Sequence, residues 1–236
     1  MKKIIWTGDS TAAFNQADTF PQTGIGQVFS LYCKRDYITL DFAKNGASSK
    51  SFYDEGLFVQ AENLISQGDY LFIQFGHNDE KPRKDRYTEP FSTYQEYLLC
   101  YVDSARKKGA YPVLVTPLCR RWFGEGGKVT DSHGEYPEAV RMLGKREGIP
   151  VVDLTMRSRE LLERTGELLS RRWFMYFPAH VYARFPEGME DNTHLHYEGA
   201  VMMAGLIAQE LKKIGGVWAD MLEPGLIIQG EGSGKE

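Results

Sequence analysis

Five short apolar runs punctuate the chain, at residues 3–7, 37–42, 70–75, 111–116 and 149–154. Each is rich in Ile, Val, Leu or aromatic residues and is bounded by Gly, Pro, Asp or Asn. That is the composition of strands buried on both faces. The stretches between them carry helical periodicity: 27–35, then 51–66 with a break at Gly56, then 91–108 and 138–147. In 91–108 the residues Tyr94, Leu98, Tyr101 and Val102 fall on one stripe. A last helix is predicted over 197–213, with Val201, Ala204, Leu206, Ala208 and Leu211 available to pack. Alternation of strand and helix implies right-handed crossovers and a parallel sheet covered on both faces. The fold class is therefore α/β, a three-layer α/β/α sandwich around a five-stranded parallel sheet. Two stretches, 122–137 and 171–189, read as long loops. The second is crowded with Phe174, Tyr176, Phe177, Tyr182 and Phe185. Loops of this length serve as lids or binding walls, or are ordinary surface packed by its own aromatics.

Composition narrows the class without changing that picture. With 236 residues the chain could form one large domain or two small ones. No composition shift marks a boundary, so 1–229 is expected to be one domain and the Gly-rich segment 230–236 a flexible tail. An apolar fraction of 42% and a charged fraction of 25% describe an ordinary globular protein. A net charge of -4 argues against nucleic acid or an anionic membrane as partner. Cys33, Cys100 and Cys119 are odd in number and far apart, which suits neither a disulfide framework nor a zinc knuckle. Cys119 follows a strand-like run and could line a cleft, though a small core hydrophobe is the simpler reading. Lys2 and Lys3 resemble the start of a leader, but Ile4-Ile5-Trp6 is far short of its apolar core. No run is long enough to span a membrane. The chain as it stands reads as cytoplasmic.

Candidate chemistry sits at the ends of the apolar runs. Ligands of open parallel sheets bind beyond the carboxyl ends of the strands. Ser10 follows the first run, Gly46 the second and Asn78 the third. A serine at a strand-to-helix turn is a nucleophile if a base adjoins it, and otherwise a helix cap. A glycine lets its backbone N–H approach a developing oxyanion, but is also a common turn residue. An asparagine amide can be a further oxyanion donor, or can bond its own loop. Asp79 could tie that loop to a neighbouring amide. Near the last helix lies Asp191-Asn192-Thr193-His194. A carboxylate and an imidazole three residues apart face the same way on a turn of helix. Asp191 would then fix the tautomer of His194 and leave its other nitrogen facing Ser10. A base must be neutral, so activity is expected to fall on the acid side of neutral pH.

Together, Gly8-Asp9-Ser10, Gly46, Gly76-His77-Asn78-Asp79 and Asp191-Asn192-Thr193-His194 resemble the blocks of the SGNH, or GDSL-like, hydrolase superfamily. Gly24-Ile25-Gly26-Gln27, Thr116-Pro117 with Arg120-Arg121, Asp131-Ser132-His133-Gly134, Tyr136-Pro137 and Leu195 after the histidine are similar to its rhamnogalacturonan acetylesterase branch. The resemblance covers roughly residues 3–213. It implies Ser10 as nucleophile, His194 as base and Asp191 as its orienter. It also implies an oxyanion hole from the Ser10 and Gly46 N–H groups and the Asn78 side chain. Ile25 stands where a tryptophan is common, which bears on packing behind the nucleophile loop. No metal or cofactor is implied. The implied topology is flavodoxin-like, with the middle strand first in sequence.

A substrate of this class, an acetylated pectin-derived oligosaccharide, carries uronic-acid carboxylates, so its cleft should offer cations or amides. His77, Arg120 and Arg121 are the substrate-binding candidates, with Arg171, Arg172 and Arg184 flanking the aromatic loop. Solvated loop arginines are the plainer alternative for each. His77 has the further reading of satisfying local hydrogen bonds. Acetylxylan or general acetyl esterase specificity stays open, as does oligomeric state. Two rivals remain. In one, Asp191, His194, His196 and His180 bind a metal. In the other, the chain binds carbohydrate without catalysis.

Overall fold

In the computed structural model, residues 1–225 are described. The predicted flexible tail, 230–236, lies outside the described residues. The strands are β1 (Lys2–Gly8), β2 (Tyr37–Asp41), β3 (Tyr70–Gln74), β4 (Tyr111–Val115) and β5 (Val151–Val152). They form one parallel sheet in the order β2-β1-β3-β4-β5. The order is flavodoxin-like, with one correction: β1 lies inside the sheet, but β3 occupies the middle.

Alternating side chains of the strands feed two cores. Ile4, Trp6, Tyr70, Phe72, Val113 and Val115 face one side. There they meet α1 (Ile25–Val28), α6 (Leu154–Thr165) and α8 (Tyr197–Ile214). Ile5, Leu71, Ile73 and Leu114 face the other. They meet α2 (Ser49–Asp54), α3 (Phe58–Leu64), α4 (Gln95–Lys107) and α5 (Tyr136–Glu147). The three layers follow from this period of two.

The expectation of strands buried on both faces holds for β3 and β4 and fails at the edges. β2 is only half-buried, and β5 shrinks to two residues. Asp153 ends β5 because its carboxylate accepts from Met156 N and caps α6. The 51–66 stretch breaks as expected at Gly56, whose φ is +72°. The 27–35 stretch is shorter than its pattern, a single α turn running into a 3₁₀ turn at Phe29–Tyr32. The 171–189 stretch is not all loop. α7 (Glu167–Ser170) ends just before it, and β6 (Phe174–Phe177) lies within it. β6 pairs antiparallel with β7 (Met189–Leu195) beside the main sheet. Among the described residues, no helix is long and apolar enough to cross a membrane. The cysteines are free, with Cys33 and Cys119 buried.

Candidate active site

The turn after β1 is shaped from beneath. A Cβ on Gly8 would stand 2.6 Å from Gln74 O, so the close approach of β1 and β3 requires glycine there. The next residue, Asp9, is fully buried. Its Oδ1 accepts from Thr11 N (2.9 Å) and Thr11 Oγ1 (2.8 Å), and Thr11 Oγ1 accepts from Gln74 Nε2 (3.0 Å). Burial pushes the Asp9 carboxyl above its usual range, against the opposing pull of the Thr11 bonds. Asp9 N and O are both engaged, to Gln74 O and to the amides of Ala12 and Ala13. Ser10 sits at the crest of this turn. Among the described residues its own N–H has no acceptor.

His194 reaches Ser10 from β7. Its Nε2 lies 3.0 Å from Ser10 Oγ, and its Nδ1 lies 2.7 Å from Asp191 Oδ2. The expected turn of helix is absent. Asp191 and His194 instead belong to a bulge of β7, where the register against β6 shifts between Phe174 and Tyr176. Asp191 Oδ1 closes the bulge by accepting from Thr193 N (2.6 Å) and His194 N (3.0 Å). This local clamp brings carboxylate and ring to one side, as a helical turn would. Burial alone would raise the Asp191 carboxyl. The His194 ring and the two amides outweigh it and hold Asp191 below the usual carboxylate range, so it is ionised at neutral pH.

Gly46 and Asn78 complete the constellation. Gly46 has φ +80°, a conformation that favours glycine, and among the described residues its N–H has no acceptor. Asn78 Nδ2 donates to Ala47 O at 2.8 Å, which aims the amide and leaves one N–H uncommitted. Asp79 locks the two loops together. It accepts from Ser49 N at 3.1 Å, from Ser49 Oγ and from Thr88 Oγ1 at 3.2 Å. Burial pushes its carboxyl up to about 7.

A cleft of ≈ 440 Å³ opens over these groups, lined by Ser10, His77, Asn78, Lys81, Arg120 and His194 among others. The three predicted substrate-binding residues fare differently. Arg120 lines the cleft but is already engaged by two residues that line it too. It pairs with Glu80 Oε1 (2.5 Å) and donates to Ser132 O (2.7 Å). Glu80 Oε2 in turn lies 3.1 Å from Nδ1 of buried His133. Arg121 does not line this cleft. Its guanidinium donates to Asn192 Oδ1 (2.9 Å) and Glu167 O (3.0 Å) and lies 4.8 Å from the Tyr176 ring, so it braces the β7 bulge instead. His77 does not satisfy local hydrogen bonds. Among the described residues neither ring nitrogen has a partner, and the ring packs edge-on against His133. Burial, reinforced by His133 and Arg120, drives its pKa well below the usual imidazole range. Sequence reasoning passed over Lys81, although its three-residue spacing from Asn78 foreshadows the 2.8 Å contact of its Nζ with Asn78 Oδ1.

The metal reading loses its ligands. His196 Nε2 lies 3.2 Å from Tyr182 OH, and among the described residues no three His, Cys, Asp or Glu side chains gather as a metal site.

A sequence profile described as the GDSL-like Lipase/Acylhydrolase family matches residues 7–199. Rhamnogalacturonan acetylesterase RhgT of Bacillus subtilis (strain 168) is 41% identical over 91% of this chain and 93% of that protein. Probable rhamnogalacturonan acetylesterase YesY of the same organism is 34% identical over 90% of this chain and 93% of that protein. Among solved structures, YxiM of Bacillus subtilis matches with a TM-score of 0.77 at 23% identity, covering 91% of this chain and 57% of that longer one. A catalytic mutant of an acetylxylan esterase from Geobacillus stearothermophilus matches with a TM-score of 0.62 at 15% identity, covering 92% and 95%. These two likenesses speak for the fold, and the profile and the sequence relatives for the family. The chain belongs to the GDSL-like lipase/acylhydrolase family, the SGNH hydrolases, in its rhamnogalacturonan acetylesterase-like branch, and is a carboxylic ester hydrolase.

Proposed function

We propose that this protein is a serine esterase that removes O-acetyl groups from pectin-derived carbohydrate, with rhamnogalacturonan oligosaccharides as substrate, through an acyl-enzyme on Ser10. The observation that carries the reading is the chain of contacts from Ser10 Oγ to His194 (3.0 Å) to Asp191 (2.7 Å) beside three uncommitted N–H donors. The names of RhgT and YesY support the carbohydrate.

In this reading Asp191 accepts from His194 Nδ1–H and so leaves Nε2 as the acceptor. Ser10 Oγ attacks the acetyl carbonyl carbon while its proton passes to Nε2. The carbonyl oxygen becomes an oxyanion held by the Ser10 and Gly46 N–H groups and the free Asn78 N–H. Collapse breaks the bond to the sugar oxygen, which takes the proton from His194 and leaves as a hydroxyl. Water then attacks the acetyl-serine with His194 again as base, releasing acetate and restoring Ser10. The test is acetate release from acetylated rhamnogalacturonan oligosaccharides, with Ser10→Ala as control. Equal release by both proteins refutes the mechanism. Release from acetylated xylan oligosaccharides alone moves the specificity to acetylxylan.

A further inference from the structure

Two cations near the nucleophile are weakly paired: Lys81, which lines the cleft, and Arg86, which stands beside Gly46. Lys81 lines the cleft beside Ser10 and His194, and among the described residues no carboxylate pairs with its ammonium. The neighbouring carboxylate, Glu80, is engaged by Arg120 and His133. Of the three N–H donors of Lys81, one meets Asn78 Oδ1. Arg86 approaches from the loop that follows. Its Nη atoms lie 3.5 and 3.6 Å from where a Cβ on Gly46 would be. Its ion pair is a loose one, Nε to Asp85 Oδ2 at 3.7 Å, and Asp85 also serves Arg83. Among the described residues neither Nη of Arg86 donates a hydrogen bond. Burial, then the nearby charges of Arg120 and Arg86, push the Lys81 ammonium below its usual range, against the opposing pull of Glu80 and Asp9.

The other side of Ser10 is different. The next pocket is lined by Phe14, Phe20, Tyr182 and Tyr197 with the amides of Asn15 and Gln22, and no Lys or Arg lines it. It adjoins the nucleophile through Gln22 Nε2, 3.5 Å from Ser10 O. Among the described residues that line these two pockets, Lys and Arg therefore stand on one flank of the nucleophile, in a chain of net charge -4.

We propose that Lys81 and Arg86 form a carboxylate subsite beside the oxyanion hole, which grips a uronic-acid unit of the bound oligosaccharide. The proposal rests on the acetylesterase reading and assigns its specificity. A planar guanidinium with both Nη groups open suits a carboxylate bidentately, and a flexible ammonium with free donors completes the grip. The competing role for these cations is to stabilise the oxyanion through Asn78, which would help every ester alike.

The experiment compares two substrates on three proteins. The substrates are one acetylated oligosaccharide of alternating uronic acid and neutral sugar, and the same compound with its carboxyls methyl-esterified. The proteins are the wild type, Arg86→Gln and Lys81→Gln. The readout is the ratio of kcat/KM for free acid over methyl ester. The expected wild-type ratio is about tenfold or more, carried in KM, and it shrinks toward one in both variants. Added salt erodes the wild-type ratio and leaves that of the variants flat. A wild-type ratio near one overturns the subsite, as do variants that lose both substrates in equal proportion. Wild type that frees acetate from neither substrate overturns the acetylesterase reading itself, and this subsite with it.

Discussion

Replacing Asp191 with asparagine isolates the one job that only a carboxylate can do in this arrangement. Oδ1 of Asp191 accepts two backbone amides, from Thr193 and His194, and Oδ2 faces His194 Nδ1. An asparagine keeps its oxygen on the two amides and turns its NH₂ to the ring. Nδ1 must then accept, so the proton moves to Nε2, and Nε2 can no longer take the proton of Ser10. Flipping the amide restores the ring tautomer but sets an NH₂ against two N–H donors. That forfeits two hydrogen bonds at about 1 kcal/mol each and strands part-buried donors, on the order of 2 to 6 kcal/mol in total. The expected loss in kcat is therefore about 30-fold to 10⁴-fold. KM should change little, because ground-state binding does not involve the tautomer. The assay is steady-state acetate release at saturating substrate, alongside a thermal melt to show that the clamp still folds the bulge. An Asp191→Asn variant with kcat within about threefold of wild type would refute the tautomer argument.

Other consequences are equally direct. Asn78→Ala removes a proposed oxyanion donor and should raise the barrier by about 2.7–4 kcal/mol, a drop of 10²–10³ in kcat measurable in the same assay; an unchanged kcat would take Asn78 out of the hole. Gly199→Ala places a Cβ 1.9 Å from Trp173 O at the start of α8, so it should cost about 1–3 kcal/mol or more in a denaturant melt, and a neutral result would mean that α8 can slide. Burial pushes the Asp41 carboxyl up to about 8, against the bond from Ala43 N. The folded state then holds a proton that the unfolded chain releases above ~4, so this group's contribution to stability falls as pH rises toward 8. Asp41→Asn, which cannot ionise, should gain on wild type by roughly 1 to 3 kcal/mol between pH ~5 and ~8; a pH-independent difference in Tm would contradict the burial argument.

The sequence exposes the layers because inner parallel strands read as unbroken apolar runs, and Leu71, Phe72 and Ile73 are such a run. It hides α6 because Thr155 and Ser158 occupy the buried face, where they bond Pro117 O and Cys119 N and interrupt the apolar stripe. It hides β6 because a short aromatic run ending at Pro178 looks like a loop until Met189–Leu195 pairs with it. The spacing of Asp191 and His194 was legible, but its cause was not. An Asx clamp in a bulge and a turn of helix both bring residues three apart to one side. Arg120 and Arg121 stand where a strand end predicts them, yet their partners Glu80, Ser132 and Asn192 are distant in sequence. Only the fold reveals that those cations are already engaged, while among the described residues Lys81 has no carboxylate partner and Arg86 only a loose one.

The claim on which the mechanism turns is that Ser10 carries the acyl group. Labelling with a phosphonofluoridate, followed by mass spectrometry of the digested protein, tests it most directly, because a serine activated by His194 traps the reagent as a stable ester. The account predicts one adduct, on the peptide holding Ser10, with activity lost in step with labelling and no adduct in Ser10→Ala. Adduct formation at another residue, or full activity in protein whose Ser10 is completely modified, would contradict it.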